Sequence, residues 1–72
     1  MIDRFTQKAR EAIRLAVETA QELEHGYVGT EHLLAGILRE GNNMAVRILR
    51  SAGVDARQLY TALMEKVSAA PR

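Results

Sequence analysis

Glu31 and His32 stand side by side in "GYVGTEHLLAGIL", residues 26–38. An adjacent carboxylate and imidazole are raw material for acid/base chemistry or for a metal site. A zinc site takes three or four His, Cys or carboxylate ligands at suitable spacing. This chain has two histidines, His25 and His32, and no cysteine. The H-E-x-x-H pattern is absent. A hydrolytic triad needs a nucleophile, a base and an orienting group. Thr30 and Ser51 offer hydroxyls, but no nucleophile-elbow sequence surrounds them. The G-x-x-x-x-G-K-[ST] loop that cradles nucleotide phosphates is missing as well. The residues therefore argue against catalysis, a resident metal or a cofactor. The other reading of the stretch is structural. Thr30 caps a helix, Glu31 complements the dipole of its first turn, and His32 fills a half-buried slot beside Tyr27.

These residues must be held by helices. Ala9, Ala12, Ile13, Ala16, Val17, Ala20 and Leu23 step by three and four, the period of an amphipathic helix. Thr6 is its predicted N-cap, with Phe5 in the position of a hydrophobic staple. Arg14 and Glu18 pair along its wet face. Gly26 is expected to end it with a positive φ. A second helix carries Leu33, Leu34, Ile37 and Leu38. Gly36 inside it costs about 1 kcal/mol relative to Ala, which points to a neighbouring helix in close approach. Gly41 closes the second helix, and Asn42 or Asn43 caps a third. The third buries Met44, Ala45, Ile48, Leu49 and Ala52, and Gly53 stops it. Val54, Asp55 and Gln58 read as a staple and capping box for a fourth. Its buried stripe is Leu59, Ala62, Leu63 and Val67. The expectation is an all-α fold, a compact bundle of four short helices with loops of about three to five residues. Residues 1–67 form one unit, and 68–72, "SAAPR", read as a tail or linker stub.

Composition narrows the partners. At 72 residues the chain is one small domain. Such a domain buries only about 60% of its unfolded surface and is marginal alone. Ten basic and nine acidic residues leave a net charge of +1, which favours neither nucleic acid nor an anionic membrane. Arg47 and Arg50 on the third helix do not make the wider basic stripe a DNA reader needs. No apolar run approaches the roughly 18 residues of a membrane span, and the N-terminus lacks a signal-peptide core. A cytoplasmic protein is the expectation.

"RFTQKAREAI", "GYVGTEHLLAGIL", "REGNNMAVRIL" and "AGVD", in that order, resemble the Clp N-terminal repeat of Clp-family AAA+ unfoldases, the ClpC type in particular. The likeness runs over about residues 3–67. It implies a non-catalytic module that receives protein substrates and adaptor proteins for AAA+ modules elsewhere in the machine. The ATPase would be the parent unfoldase, through domains absent here. In ClpC-type members the module also recognises proteins marked with phosphoarginine. On that likeness Glu31, the acid of GTEH, contacts the modified guanidinium. Thr6, of the FT pair, maps beside it with less weight.

The resemblance covers one repeat where the family has two. Either this is an excised first repeat, or it is a stand-alone interaction protein that works outside an unfoldase. In both cases the surface that would meet a second repeat is uncovered, and large apolar patches find partners. A homodimer whose twofold imitates the tandem pair is the expected solution.

Overall fold

The computed structural model describes residues 4–69. It contains α1 (Gln7–Glu22), α2 (Thr30–Glu40), α3 (Met44–Ser51) and α4 (Ala56–Ala69), with no strand among the described residues. The all-α, four-helix expectation holds. The helix α4 runs past residue 67 to Ala69, so the first part of "SAAPR" is helical. The rest of that stretch, 70–72, lies outside the described residues.

The α1–α2 pair is the principal packing. Helix α4 packs on α2, and α3 touches α2 and α4 more lightly. Among the described residues α1 does not pack on α3 or α4. The centre of the α1–α2 contact is Gly36. A Cβ there would collide with the Ala12 carbonyl oxygen and stand 2.8 Å from the Ala16 amide nitrogen. The close approach expected of this glycine is present, and two alanines make the other side of it. Ala12, Ala16, Ala20 and Ala35 are buried, with Leu38, Val46 and Val67 as the larger members of the core.

Most stop and start signals work as the sequence states. The Thr6 hydroxyl accepts from the Ala9 amide at 3.1 Å. Asn43 is the cap of α3, accepting from Val46 at 2.9 Å. Its amide also donates to the Ile37 carbonyl and to Glu40, tying the cap to the end of α2. Asp55 accepts from the amides of Arg57 and Gln58. Gly41 and Gly53 take the expected positive φ, 76° and 83°. Arg14 reaches both Glu18 and Glu11.

Four expectations are corrected. Helix α1 stops at Glu22, and the left-handed residue is Glu24, φ 60°, not Gly26. The amide of His25 bonds to the Ala20 carbonyl, and that of Glu24 to Gln21, which is a Schellman closure two residues early. The connection to α2 is therefore longer than expected, residues 23–29. Phe5 is 45% exposed; its staple position would pair with Arg10, which offers no apolar end. The cap of α2 is Gly29, with Thr30 as the first helical residue. Finally, the predicted stripes are only partly buried. Ile13 and Val17 flank the alanine ridge and remain 37% and 38% exposed. In α3, Val46 is fully buried while Met44 and Ile48 are 63% and 60% exposed and Ala45 is exposed; Ala52, just past α3, and Ala62 of α4 are exposed too. In α1, glycine and alanine let the helices meet so closely that the wider side chains of the flank are left outside; α3 touches α2 and α4 only lightly, so most of its side chains find no cover.

Gly36→Ala is expected to destabilise the chain by about 1–3 kcal/mol, the range for overpacking a tight contact. In an isolated helix the same change stabilises by up to about 1 kcal/mol. Urea unfolding checks the sign; a more stable variant would refute the crossing geometry.

Candidate functional site

The junction of α1 and α2 gathers the residues that could do chemistry. The Schellman closure turns the chain out of α1 at His25. Seven residues later His32 enters the first turn of α2. His32 is fully buried. Its Nδ1 accepts from the Gly29 amide at 2.8 Å. That is the side-chain half of a capping box, made by imidazole instead of Glu or Gln. Because Nδ1 accepts, the ring proton sits on Nε2. Nε2 lies 2.8 Å from His25 Nδ1 and donates to it, so the His25 proton sits on its own Nε2. His32 is thus a cap and a cross-brace between the two helices, and more deeply buried than the half-buried slot expected of it.

Tyr27 completes the cluster. Its ring stacks on His25, with centroids 5.4 Å apart and planes 3° from parallel, and meets His32 edge-on at 5.2 Å. Its hydroxyl donates to Glu31 Oε2 at 3.2 Å. The Glu31 carboxylate curls back over Gly29; a Cβ at residue 29 would collide with Oε1. Its own backbone N–H, first, and then the Tyr27 hydroxyl hold the carboxyl below the usual carboxylate range, with partial desolvation opposing. The site is therefore an anionic acceptor at a helix N-terminus, half-buried and braced by aromatic rings. Among the described residues no group of three or more His, Cys, Asp or Glu is placed to hold a metal.

Thr6 is elsewhere. Lys8 pairs with Glu40 at 3.5 Å, so the start of α1 lies beside the end of α2. The His25–His32 contact puts the end of α1 beside the start of α2. The helices are antiparallel, and Thr6 and Glu31 sit at opposite ends of the pair. Within one chain they do not share a pocket. Thr6 lines instead an open groove between the first half of α1 and the α2–α3 corner.

Two features go beyond the residue pattern, which sets only His32 beside Tyr27. The Arg39 guanidinium donates to the buried Thr19 hydroxyl at 2.7 Å and to Glu18 at 3.0 Å, locking the far flank of the crossing. Only its place in the last turn, where cations suit the dipole, hinted at a role. The His25–Tyr27–His32 packing crosses a loop, where no helical period applies.

The comparisons agree with this architecture. Residues 4–72 match the Clp repeat (R) N-terminal domain. The chain belongs to that family. It is 47% identical over 55 residues to a probable ATP-dependent Clp protease ATP-binding subunit of Chlamydia pneumoniae, covering 76% of this chain and 6% of that protein. It is 43% identical over 63 residues to the chloroplastic chaperone protein ClpC1 of Oryza sativa subsp. japonica, covering 88% and 7%. A homologue of the ATP-dependent Clp protease ATP-binding subunit ClpA from Cyanidium caldarium is 41% identical over the same shares. The chain thus spans well under a tenth of the length of these relatives. Among the described residues no helix is long and apolar enough to cross a membrane.

Replacing His32 tests the brace. His32→Leu is expected to cost about 2 kcal/mol or more, since it leaves the Gly29 amide and His25 Nδ1 without partners. His32→Gln keeps an acceptor at the capping-box position and is expected to lose less. Chemical denaturation of both separates a cap from plain packing: if Leu is tolerated as well as Gln, His32 only fills space.

Proposed function

We propose that this Clp repeat is a non-catalytic recognition module that receives protein substrates and adaptor proteins for a Clp-type ATP-driven unfoldase. The family match carries the reading, because the relatives' names describe ATP-binding subunits and chaperones of which this unit is a small part. The ATP chemistry belongs to AAA+ modules outside these residues. A cytoplasmic setting goes with this reading, as does the lack of any pull toward nucleic acid or membrane.

Within the module Glu31 is the acceptor for the guanidinium of phosphoarginine. Support for this comes from its chemistry. The carboxylate stays ionised at neutral pH, is half-buried, and has acceptor positions beyond those used by Tyr27 and its own amide. A guanidinium donates two parallel N–H bonds to such a group. Thr6 is too far along the pair to join Glu31 from the same chain. It contributes only if a second repeat brings its own start of α1 to this end.

That second repeat is, in this proposal, another copy of the chain. Ile13 and Val17 of α1 and Leu33 of α2 are all more than a third exposed. They lie on the flank of the crossing away from Arg39, as the antiparallel arrangement requires. An isologous twofold contact through this flank covers the same residues on both copies.

Two measurements test the reading. Titration calorimetry with a phosphoarginine-bearing peptide is expected to show about tenfold or greater weakening in Glu31→Ala, the scale of a charged hydrogen bond. Equal affinity, or no binding to the wild type, removes the role from Glu31. Light scattering at high micromolar concentration is expected to give twice the chain mass, and Val17→Lys to halve it. A clean wild-type monomer rejects the dimer.

A further inference from the structure

The Glu31 carboxylate has no lysine or arginine partner. The ion pairs among the described residues engage Glu11, Glu18, Glu22 and Glu40, and none reaches Glu31. What stands beside it is an aromatic ring. The Tyr27 hydroxyl donates to Oε2 at 3.2 Å. Partial desolvation, and then Glu31 itself, hold the phenol above its ordinary range, so it stays a donor at neutral pH. Each carboxylate oxygen has two lone pairs. The bond from Tyr27 therefore orients the carboxylate without using it up.

The ring is held from the core outward. Buried His32 bonds to His25, and the His25 ring lies parallel to Tyr27. The two imidazoles cover part of the Tyr27 ring, yet the residue is 46% exposed. Open aromatic surface thus borders an unpaired anion. An aromatic face attracts cations through its quadrupole. The two common side-chain cations use such a corner differently. A guanidinium is planar and weakly hydrated, gives a carboxylate two parallel N–H bonds and stacks on an aromatic face. An ammonium is a compact, strongly hydrated point charge that must give up water to touch the ring.

The geometry points to Tyr27 as the specificity-determining residue of this site: the carboxylate of Glu31 binds a cation, and the Tyr27 ring selects a planar guanidinium over an ammonium. The inference rests on the acceptor role proposed for Glu31 and adds the discrimination of arginine-type from lysine-type ligands. It draws on no phosphate, so it extends to guanidinium groups that carry none.

Methylguanidinium and methylammonium are the probes, titrated at matched ionic strength into the 72-residue chain and followed by NMR. Methylguanidinium is expected to shift the Tyr27 ring protons and the Glu31 amide, and its methyl group to show nuclear Overhauser contacts with that ring. Methylammonium is expected to bind about threefold to fivefold more weakly, the scale of one exposed cation–π contact. Tyr27 is exposed on the loop between α1 and α2, so its replacement does not open the core. Tyr27→Leu is expected to bring the two probes to equal affinity. Tyr27→Phe keeps the ring without the hydroxyl and is expected to retain the preference. A ring that only steadied the loop would lower both affinities in Tyr27→Leu and leave their ratio unchanged. That result, equal affinities in the wild type, shifts centred away from Tyr27 and Glu31, or no binding of either probe overturns the proposal. Calorimetry with the phosphoarginine-bearing peptide keeps the two readings apart. Peptide binding lost in Glu31→Ala, with the probe ratio unmoved by Tyr27→Leu, preserves the acceptor and removes the selecting ring. A wild type that ignores the peptide but prefers methylguanidinium removes the phosphoarginine role and preserves the selecting ring.

Discussion

At Gly36 the backbones of α1 and α2 come within reach of each other, and the other contacts of the pair follow from that distance. At the centre of the crossing Gly36 faces the backbone of Ala12 and Ala16. Because the axes are close, Arg39 spans from α2 to the Thr19 hydroxyl on one flank. At the far end His32 reaches His25 across the turn. A bulkier ridge would push the helices apart and break both polar ties, although neither touches the glycine. The hydrogen bonds hold the register, but the missing side chain permits it.

The same constraint explains what could and could not be read from the residues. Caps and stops are local chemistry, so Thr6, Asn43, Asp55, Gly41 and Gly53 were legible from their own neighbourhoods. Periodicity found the helices, and Gly36 announced a close neighbour. Periodicity does not say how wide the buried strip is. Ile13 and Val17 lie on the apolar arc of α1, but a crossing set by alanine and glycine buries a narrow strip and leaves its borders wet. In α3, where Val46 alone is fully buried, the cause is different: that helix touches α2 and α4 only lightly. The end of α1 was misplaced for another reason. Glycine is the usual left-handed residue, yet here Glu24 takes that role and Gly26 does not. Thr30 looked like a cap by type, whereas Gly29 holds the cap position and Thr30 is already the first helical residue.

For the candidate site, the acid itself was legible and its setting was not. A carboxylate in a first turn is expected on dipole grounds. Its brace by Tyr27, and the imidazole cap beneath it, depend on a loop conformation that no spacing rule encodes. The distance between Thr6 and Glu31 likewise became clear only from the antiparallel pairing. Residues close together in a family's motif list need not be close in one repeat. On the proposed reading, a pocket that uses both residues is assembled from two copies of this fold.

The distribution of apolar bulk carries the functional argument furthest. The buried interior consists largely of alanine, whose transfer from water stabilises little per residue. Larger side chains such as Met44, Ile48, Leu33, Ile13 and Val17 face solvent to a third or more. A small domain selected only for its own stability would reverse that allocation, since it is already marginal. Here the small residues secure a tight, rigid helix pair, and much of the apolar surface is left outside on α1, α2 and α3. Covering that surface adds the stabilisation that the core lacks. In the proposed dimer, association and completion of the fold draw on the same surface.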